Sequence, residues 1–312
     1  MTKPLVIYHD NCADGFGAAF AAWLKLGDDT EYLPQQYNSI DFTHPADIRE
    51  NVDGREVYIL DFSFPRVVMN QIFTDAKRVV WLDHHKTAFE MWGEPGMVST
   101  QINEPACVIW LDNNKSGAML AWEHFHPDTE IPMLIKHIDD YDRWQFKLAG
   151  TKEFNKALWS FAPWSFALWA KLLTNEQDYP ETVGHMRTAG AAILRAHNQN
   201  VQSVVKGSAR ECVLKLPEPR VAHGQQLPPS IIGLVANCPP FLTSDVGHAL
   251  ATQSGTFGLC WTLSQTGLIA NCSLRSNGDY DVSAIAKAFG GGGHKNAAGF
   301  EVPIATLLGW LV

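Results

Sequence analysis

The chain has 312 residues, which is long for one hydrophobic core and typical of two domains of ordinary size. Its composition, 46% apolar and 18% charged, excludes an intrinsically disordered chain, because disordered chains are poorer in apolar residues. A net charge of −9 disfavours duplex nucleic acid as the main partner, since binding many phosphates requires a strongly basic surface. A short or small phosphorylated substrate is compatible with this charge.

The N-terminal residues predict neither a signal peptide nor a membrane anchor. The chain reaches His9 and Asp10 before an apolar signal core forms, and no run of about 18 uncharged apolar residues occurs anywhere. We therefore expect a cytoplasmic protein with no membrane partner. The six cysteines include no Cys-x-x-Cys pair, which disfavours a structural zinc site or a disulfide scaffold.

Short apolar strands alternate with helices in the first part of the chain. Residues 4–26 predict a strand, a Gly-containing turn and an Ala-rich helix. A second strand ends at Asp61, before a helix from Pro65 to about Asp75, and a third strand ends at Asp83. This alternation predicts an α/β fold, with a mostly parallel sheet and helices on both faces. In such sheets, ligands bind beyond the carboxyl ends of the strands.

The middle of the chain predicts further helices and an aromatic segment. A helix follows the NNKSG turn, and MLIKHIDDYDRW carries another helix into an acidic cluster. Residues 144–169 hold four tryptophans, with Phe154, Phe161 and Phe166 between them. This segment is either a helical core patch or a stacking platform for nucleobases.

The domain boundary is predicted in a long helix over residues 186–206, whose second half lacks a deep apolar face. We predict an N-terminal domain over 1–185 and a smaller mixed α/β domain over 207–312. Short strand candidates separated by Pro and Gly turns support the second assignment, with helices near 245–253 and 282–288.

Carboxylates and imidazoles recur at the ends of the predicted strands or in the loops that follow. Each cluster alone is weak evidence for a metal site, because an Asp often caps a helix and a lone His is often structural. Together they favour Mn²⁺ or Mg²⁺ over a structural zinc site. Two ions about 3.5–4 Å apart would lower the pKa of a bridging water and hold phosphoryl oxygens. The clusters are His9, Asp10 and Asp14; Asp61; Asp83, His84 and His85; and Asp139, Asp140 and Asp142.

The C-terminal region contains four consecutive glycines, Gly290 to Gly293, followed by His294 and Lys295. Such a run allows backbone amides to point at an anion, and the two side chains add donors. The alternative is a flexible linker. A linker would not need the small residues 296–299 or the apolar strand that follows them, so this alternative is disfavoured. Arg275 is either a bidentate phosphate clamp or a surface residue.

These motifs resemble the DHH phosphoesterase superfamily over nearly the whole chain. The N-terminal motifs YHDNCADG, LDFS, LDHH and IDDYD look like the family's four motifs, and LDHH contains its name-giving triplet. The segment SLRSNGDYDVSAIAKAFGGGGHKNAAGF is similar to the C-terminal DHH-associated domain of nanoRNases, phosphoadenosine phosphatases, RecJ-like exonucleases and cyclic-dinucleotide phosphodiesterases.

The resemblance implies a DHH catalytic domain that carries two manganese ions, with Mg²⁺ or Co²⁺ as substitutes, facing a DHH-associated substrate-binding domain across a cleft. By position, Asp61 would bridge the metals and His84 would be a direct ligand. Asp83 would orient a histidine, and His85 would face the bridging water or the scissile phosphate. His9, Asp14 and Asp140 would complete the metal shells. Substrate phosphate would be held by Arg275, Gly291, Gly292, Gly293 and His294.

Cys12 departs from the pattern, because the family usually has an acidic residue two positions before Asp14. Three alternatives follow. Asp10 supplies the missing oxygen ligand, or Cys12 binds the metal as a thiolate and shifts the preference toward softer metals, or Cys12 is only a small packing residue. We favour His9 and Asp14 as ligands, with Asp10 next.

The resemblance and the composition together predict a manganese-dependent phosphodiesterase. It would hydrolyse short single-stranded oligonucleotides to 5′-mononucleotides with water activated by two metal ions. A 3′-phosphoadenosine 5′-phosphate phosphatase and a cyclic-(di)nucleotide phosphodiesterase are the alternatives within enzymes. A non-catalytic nucleotide-binding regulator is the alternative of another class, and Cys12 is the feature that favours it. A homodimer is left open.

Overall fold

The computed structural model describes residues 2–36, 45–92, 99–104, 106–178, 182–218, 221–222 and 225–312. The chain divides into two compact units, Met1–Leu194 and Arg195–Val312. The division falls within one helix, Thr182–Ser208, which contains the segment predicted as a linker. Within the described ranges, no helix is long and apolar enough to traverse a lipid bilayer.

The first unit is built on a sheet of six described strands in the order β2-β1-β3-β4-β6-β5. All neighbouring strands are parallel except β5, which runs antiparallel to β6. The strands are β1 (Leu5–His9), β2 (Glu31–Gln35), β3 (Glu56–Leu60), β4 (Arg78–Asp83), β5 (Ser99–Glu104) and β6 (Cys107–Asp112). The helices are α1 (Ala13–Leu26), α2 (Pro45–Val52), α3 (Arg66–Asp75), α4 (Lys86–Trp92), α5 (Gly117–Phe125), α6 (Met133–Asp142), α7 (Thr151–Trp159) and α8 (Phe166–Asp178), followed by α9 (Thr182–Ser208).

Helices cover both faces of this sheet, as the alternation of its buried residues shows. Val6 and Leu60 belong to a core that includes α1 and α5 to α8, whereas Leu5 and Ile59 belong to a core with α2 to α4. Successive side chains of a strand point to opposite faces, so continuous apolar strands require two covered faces. The predicted fold class is therefore confirmed.

The aromatic segment contributes to the first of these cores. Trp169 and Phe154 are at most 2% exposed, and Trp164 packs against the same cluster. Trp159 and Phe161 are 41% and 43% exposed. The core interpretation therefore holds for the buried members of the segment.

The second unit is a mixed sheet in the order β13-β14-β12-β11-β10-β7, in which β10 and β11 are parallel and the other pairs are antiparallel. One face packs on α11 and α12, and the other packs on α10 and the second half of α9. The strands are β7 (Arg210–Lys215), β8 (Val221–Ala222), β9 (Gln225–Gln226), β10 (Ser230–Asn237), β11 (Phe257–Leu263), β12 (Ile269–Ser276), β13 (Gly292–His294) and β14 (Ala297–Pro303). The helices are α10 (Thr243–Ser254), α11 (Val282–Ala288) and α12 (Ile304–Leu308). This matches the small mixed α/β domain predicted from the sequence.

Candidate metal centre

Three central strands of the first unit end at one edge of the sheet. Tyr8 pairs with Leu60, and Leu60 pairs with Leu82, so the next residues, His9, Asp61 and Asp83, end neighbouring strands at the same level. Strands that are parallel and in register bring their carboxyl ends together. This register explains why residues more than 70 positions apart in sequence share one site.

Asp61 lies at the centre of this edge and is 1% exposed. Its backbone φ is 54°, a left-handed conformation that is uncommon for a residue with a side chain. Its Oδ2 is 3.5 Å from Nδ1 of His9, and its Oδ1 is 3.1 Å from Nε2 of His84. The two oxygens of one carboxylate therefore face two different histidines.

Two groups of possible ligands meet at Asp61. Within each group, the ligand atoms lie within 4.8 Å of one another. The first group is His9, Cys12 and Asp61, and the second is Asp14, His84 and Asp142. Because Oδ1 of Asp61 also lies beside His84, the carboxylate connects both groups. This is the arrangement that a carboxylate bridging two ions requires.

Asp14 is held by the first turn of α5. Its Oδ2 accepts a hydrogen bond from the amide of Gly117 at 2.7 Å, and its Oδ1 accepts one from the amide of Ala118 at 2.8 Å. These amides are unsatisfied helix-start donors, and they favour a negative charge at this position. Its Oδ2 is also 3.4 Å from Nε2 of His84, so the helix start fixes the carboxylate against the second ligand group.

Gly117 is required by the close approach of α5 to Asp61. A Cβ atom at this position would lie 2.4 Å from Cβ and 2.7 Å from Oδ1 of Asp61. No motif in the sequence singled out this glycine, although its place directly after the predicted NNKS turn marks the helix start.

We expect Gly117→Ala to displace Asp61 and to weaken metal binding by about 10–100-fold, as the loss of a residue that orients a ligand does. Calorimetric titration of the apo protein with Mn²⁺ measures this change. Gly184→Ala is the matched control, because a Cβ there meets no atom within 4 Å. Equal metal affinities of the two variants would contradict the role of Gly117.

Asp83 orients His85. Its Oδ1 accepts hydrogen bonds from the backbone amides of His84 and His85, at 2.8 Å and 3.2 Å, and lies 2.7 Å from Nδ1 of His85. A carboxylate accepts the Nδ1 proton, which leaves Nε2 as the acceptor of the neutral ring. Asp83 is fully buried, so this orientation is fixed from inside the fold.

Asp142, rather than Asp140, lies among the candidate metal ligands. Oδ1 of Asp140 accepts the amide of Lys147, and Oδ2 accepts the amide of Leu148 and the hydroxyl of Thr151. Asp142 lies 3.6 Å from Nε2 of His84 through Oδ2. At 3.6 residues per turn, the two side chains leave α6 about 160° apart, so they cannot serve the same site. The expectation of Asp140 as a ligand is therefore corrected.

Asp10 also lies outside both ligand groups. Its Oδ2 accepts hydrogen bonds from the side-chain amides of Asn11 and Gln36, at 3.2 Å and 3.1 Å. The position beside His9 and Asp61 is occupied by Cys12. These contacts do not support the expectation of Asp10 as the next ligand after His9 and Asp14, and they place the sulfur of Cys12 beside the candidate ligands.

The charges of the site suit a cation. Burial raises the pKa of Asp14 well above its usual range, and the negative charges of the neighbouring Asp61 and Asp142 raise it further. Burial opposes ionisation of Asp61 as well, but its interactions with His84 and His9 hold its pKa below the usual range. Oδ1 of Asp61 is buried, and its 3.1 Å contact with Nε2 of His84 lacks good hydrogen-bond geometry. Carboxylate and imidazole donors around such an atom fit one or two divalent ions.

Metal affinity is expected to rise with pH. Burial lowers the pKa of His84, but Asp142 and Asp61 raise it well above 6.5, and Asp61 and Asp14 likewise raise that of His9. Both rings must lose a proton before they bind a cation. The affinity therefore increases as pH rises from 6.5 towards the raised pKa values, and metal binding releases protons below those values. Titration calorimetry of the apo protein in buffers of different ionisation enthalpy measures both effects.

The stability of the apo protein should show the opposite trend. A raised histidine pKa contributes stability that is present below 6.5 and is lost as pH rises through the raised value. The melting temperature of the apo protein should fall over this range, while the increase caused by Mn²⁺ should grow. Metal affinity that does not change with pH would contradict this assignment of the histidines.

In the second unit, Arg275 and His294 lie on one face of the sheet. Arg275 on β12 and His294 on β13 both pair with Ala297 on the strand between them. Residues opposite one another point to the same face, and two strand spacings separate these two positions by about 10 Å. The guanidinium of Arg275 donates to Oγ of Ser244 at 3.0 Å, which fixes it beside α10.

The glycine run is part of the folded sheet, which agrees with the argument against a flexible linker. The amides of Gly290 and Gly291 donate to carbonyls of α11, and Gly292, Gly293 and His294 form β13. A Cβ at Gly291 would lie 2.0 Å from the carbonyl oxygen of Gly299, so close strand packing requires this glycine. Lys295 pairs with Asp279 at 2.7 Å. The run therefore has a packing role, and the phosphate contacts of Gly291, Gly292 and Gly293 stay a prediction.

Comparisons with known proteins agree with the C-terminal motif. Residues 249–308 match the family model of the DHHA1 domain, which confirms the resemblance drawn from that segment. The uncharacterized protein R106 of Acanthamoeba polyphaga mimivirus is 29% identical over 307 residues, which cover 95% of this chain. The chain spans 66% of the length of that relative.

Two solved structures are similar to nearly the whole chain. An uncharacterized protein from Helicobacter pylori G27 has a TM-score of 0.43 and 14% identity, over 96% of this chain and 93% of that one. The pGpG-specific phosphodiesterase PggH from Vibrio cholerae has a TM-score of 0.45 and 13% identity, over 98% and 95%.

Proposed function

We propose that this chain, which belongs to the DHH superfamily and carries a DHHA1 domain over residues 249–308, is a metal-dependent phosphodiesterase acting on short nucleotide substrates. The observation that carries the proposal is the position of Asp61, whose two carboxylate oxygens face His9 and His84. One carboxylate between two sets of ligands is what hydrolysis of a phosphate ester by two ions needs.

The residues that would hold the ions are His9, Cys12, Asp14, Asp61, His84 and Asp142. The bound ions would supply an activated water and neutralise the charge of the phosphate. Carboxylate oxygens with imidazoles favour manganese as the physiological ion. Mg²⁺ and Co²⁺ are expected to substitute.

His85 is the proposed proton carrier of the reaction. Asp83 binds Nδ1, which leaves Nε2 to exchange a proton with the water or with the leaving oxygen. Because Oδ1 of Asp61 lies 3.8 Å from Nδ1 of the same ring, His85 is held at the edge of the ligand cluster. Asp83 therefore acts as a positioning residue for His85.

The second unit is proposed to bind substrate phosphate. Arg275 offers a guanidinium and His294 an imidazole on one face of its sheet. The two strand positions lie about 10 Å apart, which is compatible with a short substrate. The net charge of −9 also favours short oligonucleotides.

A substrate panel tests the proposal. The purified protein with Mn²⁺ is assayed on dinucleotides, longer single strands, 3′-phosphoadenosine 5′-phosphate, cyclic dinucleotides and polyphosphate, beside a matched Asp61→Ala preparation. We expect dinucleotides to be cleaved fastest, to 5′-mononucleotides. A faster reaction on phosphoadenosine phosphate or a cyclic dinucleotide would replace the substrate assignment. No turnover of any substrate, or equal rates from both preparations, would overturn the enzyme proposal.

A further inference from the structure

We propose that Cys12 is a thiolate ligand of one metal position and gives that position a preference for softer ions such as Co²⁺, Zn²⁺ or Cd²⁺. The inference rests on the metal centre of the proposed function and adds a property of one of its two positions. It concerns the group of His9, Cys12 and Asp61, whose ligand atoms lie within 4.8 Å of one another.

The sulfur of Cys12 lies near an imidazole and a carboxylate, two groups that commonly bind metal ions. His9 ends β1 and Asp61 follows β3, so both residues are fixed by neighbouring strands. Cys12 directly precedes α1, with an extended backbone at φ −132° and ψ 133°. One imidazole, one carboxylate and one thiol within this distance form a set that divalent ions of borderline softness bind.

A second observation indicates that a cation belongs here. Asp61 is 1% exposed, and its Oδ1, which lies 3.1 Å from Nε2 of His84, makes no hydrogen bond of good geometry with the described residues. A buried carboxylate oxygen without a well-formed hydrogen bond is costly unless a cation satisfies it. Asp10 does not fill this role, because its Oδ2 accepts the amides of Asn11 and Gln36.

Cys12 becomes a thiolate only when a cation displaces its proton. Burial and the carboxylate of Asp61 raise the pKa of the Cys12 thiol well above its usual range, and binding of a cation deprotonates a thiol ligand. A soft sulfur ligand changes the relative affinities of the ions, because Mn²⁺ and Mg²⁺ prefer oxygen. The second group, Asp14, His84 and Asp142, contains no sulfur. The two positions should therefore differ in metal preference, and a mixed pair of ions should be stable.

Spectroscopy of the metal-bound protein tests this directly. The apo protein is titrated with Co²⁺, and the thiolate-to-metal charge-transfer absorption is recorded for wild type, Cys12→Ser, Cys12→Asp and Cys107→Ser. Cys107 is the matched control, because it is also a half-buried cysteine of the first unit and lies outside the ligand groups. We expect the band in wild type and Cys107→Ser, and its loss in both Cys12 variants.

Competition between Cd²⁺ and Mn²⁺ gives a second readout. Loss of residues that only orient a ligand costs about 10–100-fold in affinity, so a direct ligand should change the preference for Cd²⁺ at least tenfold in Cys12→Asp. Cys12→Asp retains a metal ligand, so it remains informative if Cys12→Ser is unstable.

Persistence of the band in Cys12→Asp would overturn the inference. It would also be overturned if the wild type bound Co²⁺ without showing the band, or if it bound no metal. Failure of the proposed function has a different signature, namely a normal charge-transfer band in a protein that hydrolyses none of the nucleotide substrates.

Discussion

Replacing Asp61 by asparagine is expected to abolish turnover and to reduce the number of Mn²⁺ ions bound by the apo protein from two to at most one. Asparagine has the same shape but cannot present two charged oxygens to His9 and His84. Metal ions contribute several kcal/mol to phosphoryl transfer, so the rate should fall by at least roughly a thousandfold. The rate of dinucleotide cleavage and the stoichiometry of Mn²⁺ binding measure these effects.

Asp53→Asn is the control for removing one negative charge, because Asp53 is exposed near the end of α2. It should retain both ions and the wild-type rate. Circular dichroism establishes that the two variants are folded alike. Two bound ions and a normal rate in Asp61→Asn would exclude a bridging role for this carboxylate.

Asp142→Asn and Asp140→Asn are expected to separate a metal ligand from a structural carboxylate two residues away. Asp142 faces His84, so Asp142→Asn should weaken metal binding at the second group and lower the rate, with little change in stability. Asp140 accepts three hydrogen bonds from residues 147, 148 and 151. Asp140→Asn should cost about 1.5–3 kcal/mol of stability, the range for hydrogen bonds to a charged group, and leave the metal affinity of the folded protein unchanged.

Chemical denaturation and Mn²⁺ titration of both variants test the pair together. Asp142→Asn should lose metal affinity and keep its stability, whereas Asp140→Asn should lose stability and keep its metal affinity. A loss of metal binding in Asp140→Asn without a loss of stability would assign the ligand to Asp140 and contradict the structure.

Much of the fold could be predicted because its signals are local. Apolar strands with both faces buried, such as LVIYH and RVVWLD, predict a covered parallel sheet, and the proline at position 65 marks the start of α3. The grouping of His9, Asp61 and Asp83 also follows from local signals, because parallel strands end at one edge.

The choice within IDDYD could not be made from residue types, since three carboxylates follow one another there. Helical periodicity separates them, because positions 139 and 142 share a face that position 140 does not. The downstream hydrogen bonds to Asp140 come from a turn that the sequence does not reveal.

The surroundings of Cys12 and of the glycine run also depend on contacts that residue types do not reveal. The preference for Asp10 followed from charge, but the direction of its side chain is set by Asn11 and Gln36. The four glycines were interpreted as an anion-binding loop, whereas their pairing with β14 depends on a close approach to Gly299, which only the folded sheet defines.

The most direct test of the central claim is to count Mn²⁺ ions bound per chain while dinucleotide hydrolysis is followed in the same titration. Electron paramagnetic resonance reports free Mn²⁺, so bound ions are obtained by difference. The account predicts two ions per chain, with hydrolysis appearing as the second position fills. Full hydrolysis with one ion, or two bound ions without hydrolysis of any nucleotide substrate, would contradict it.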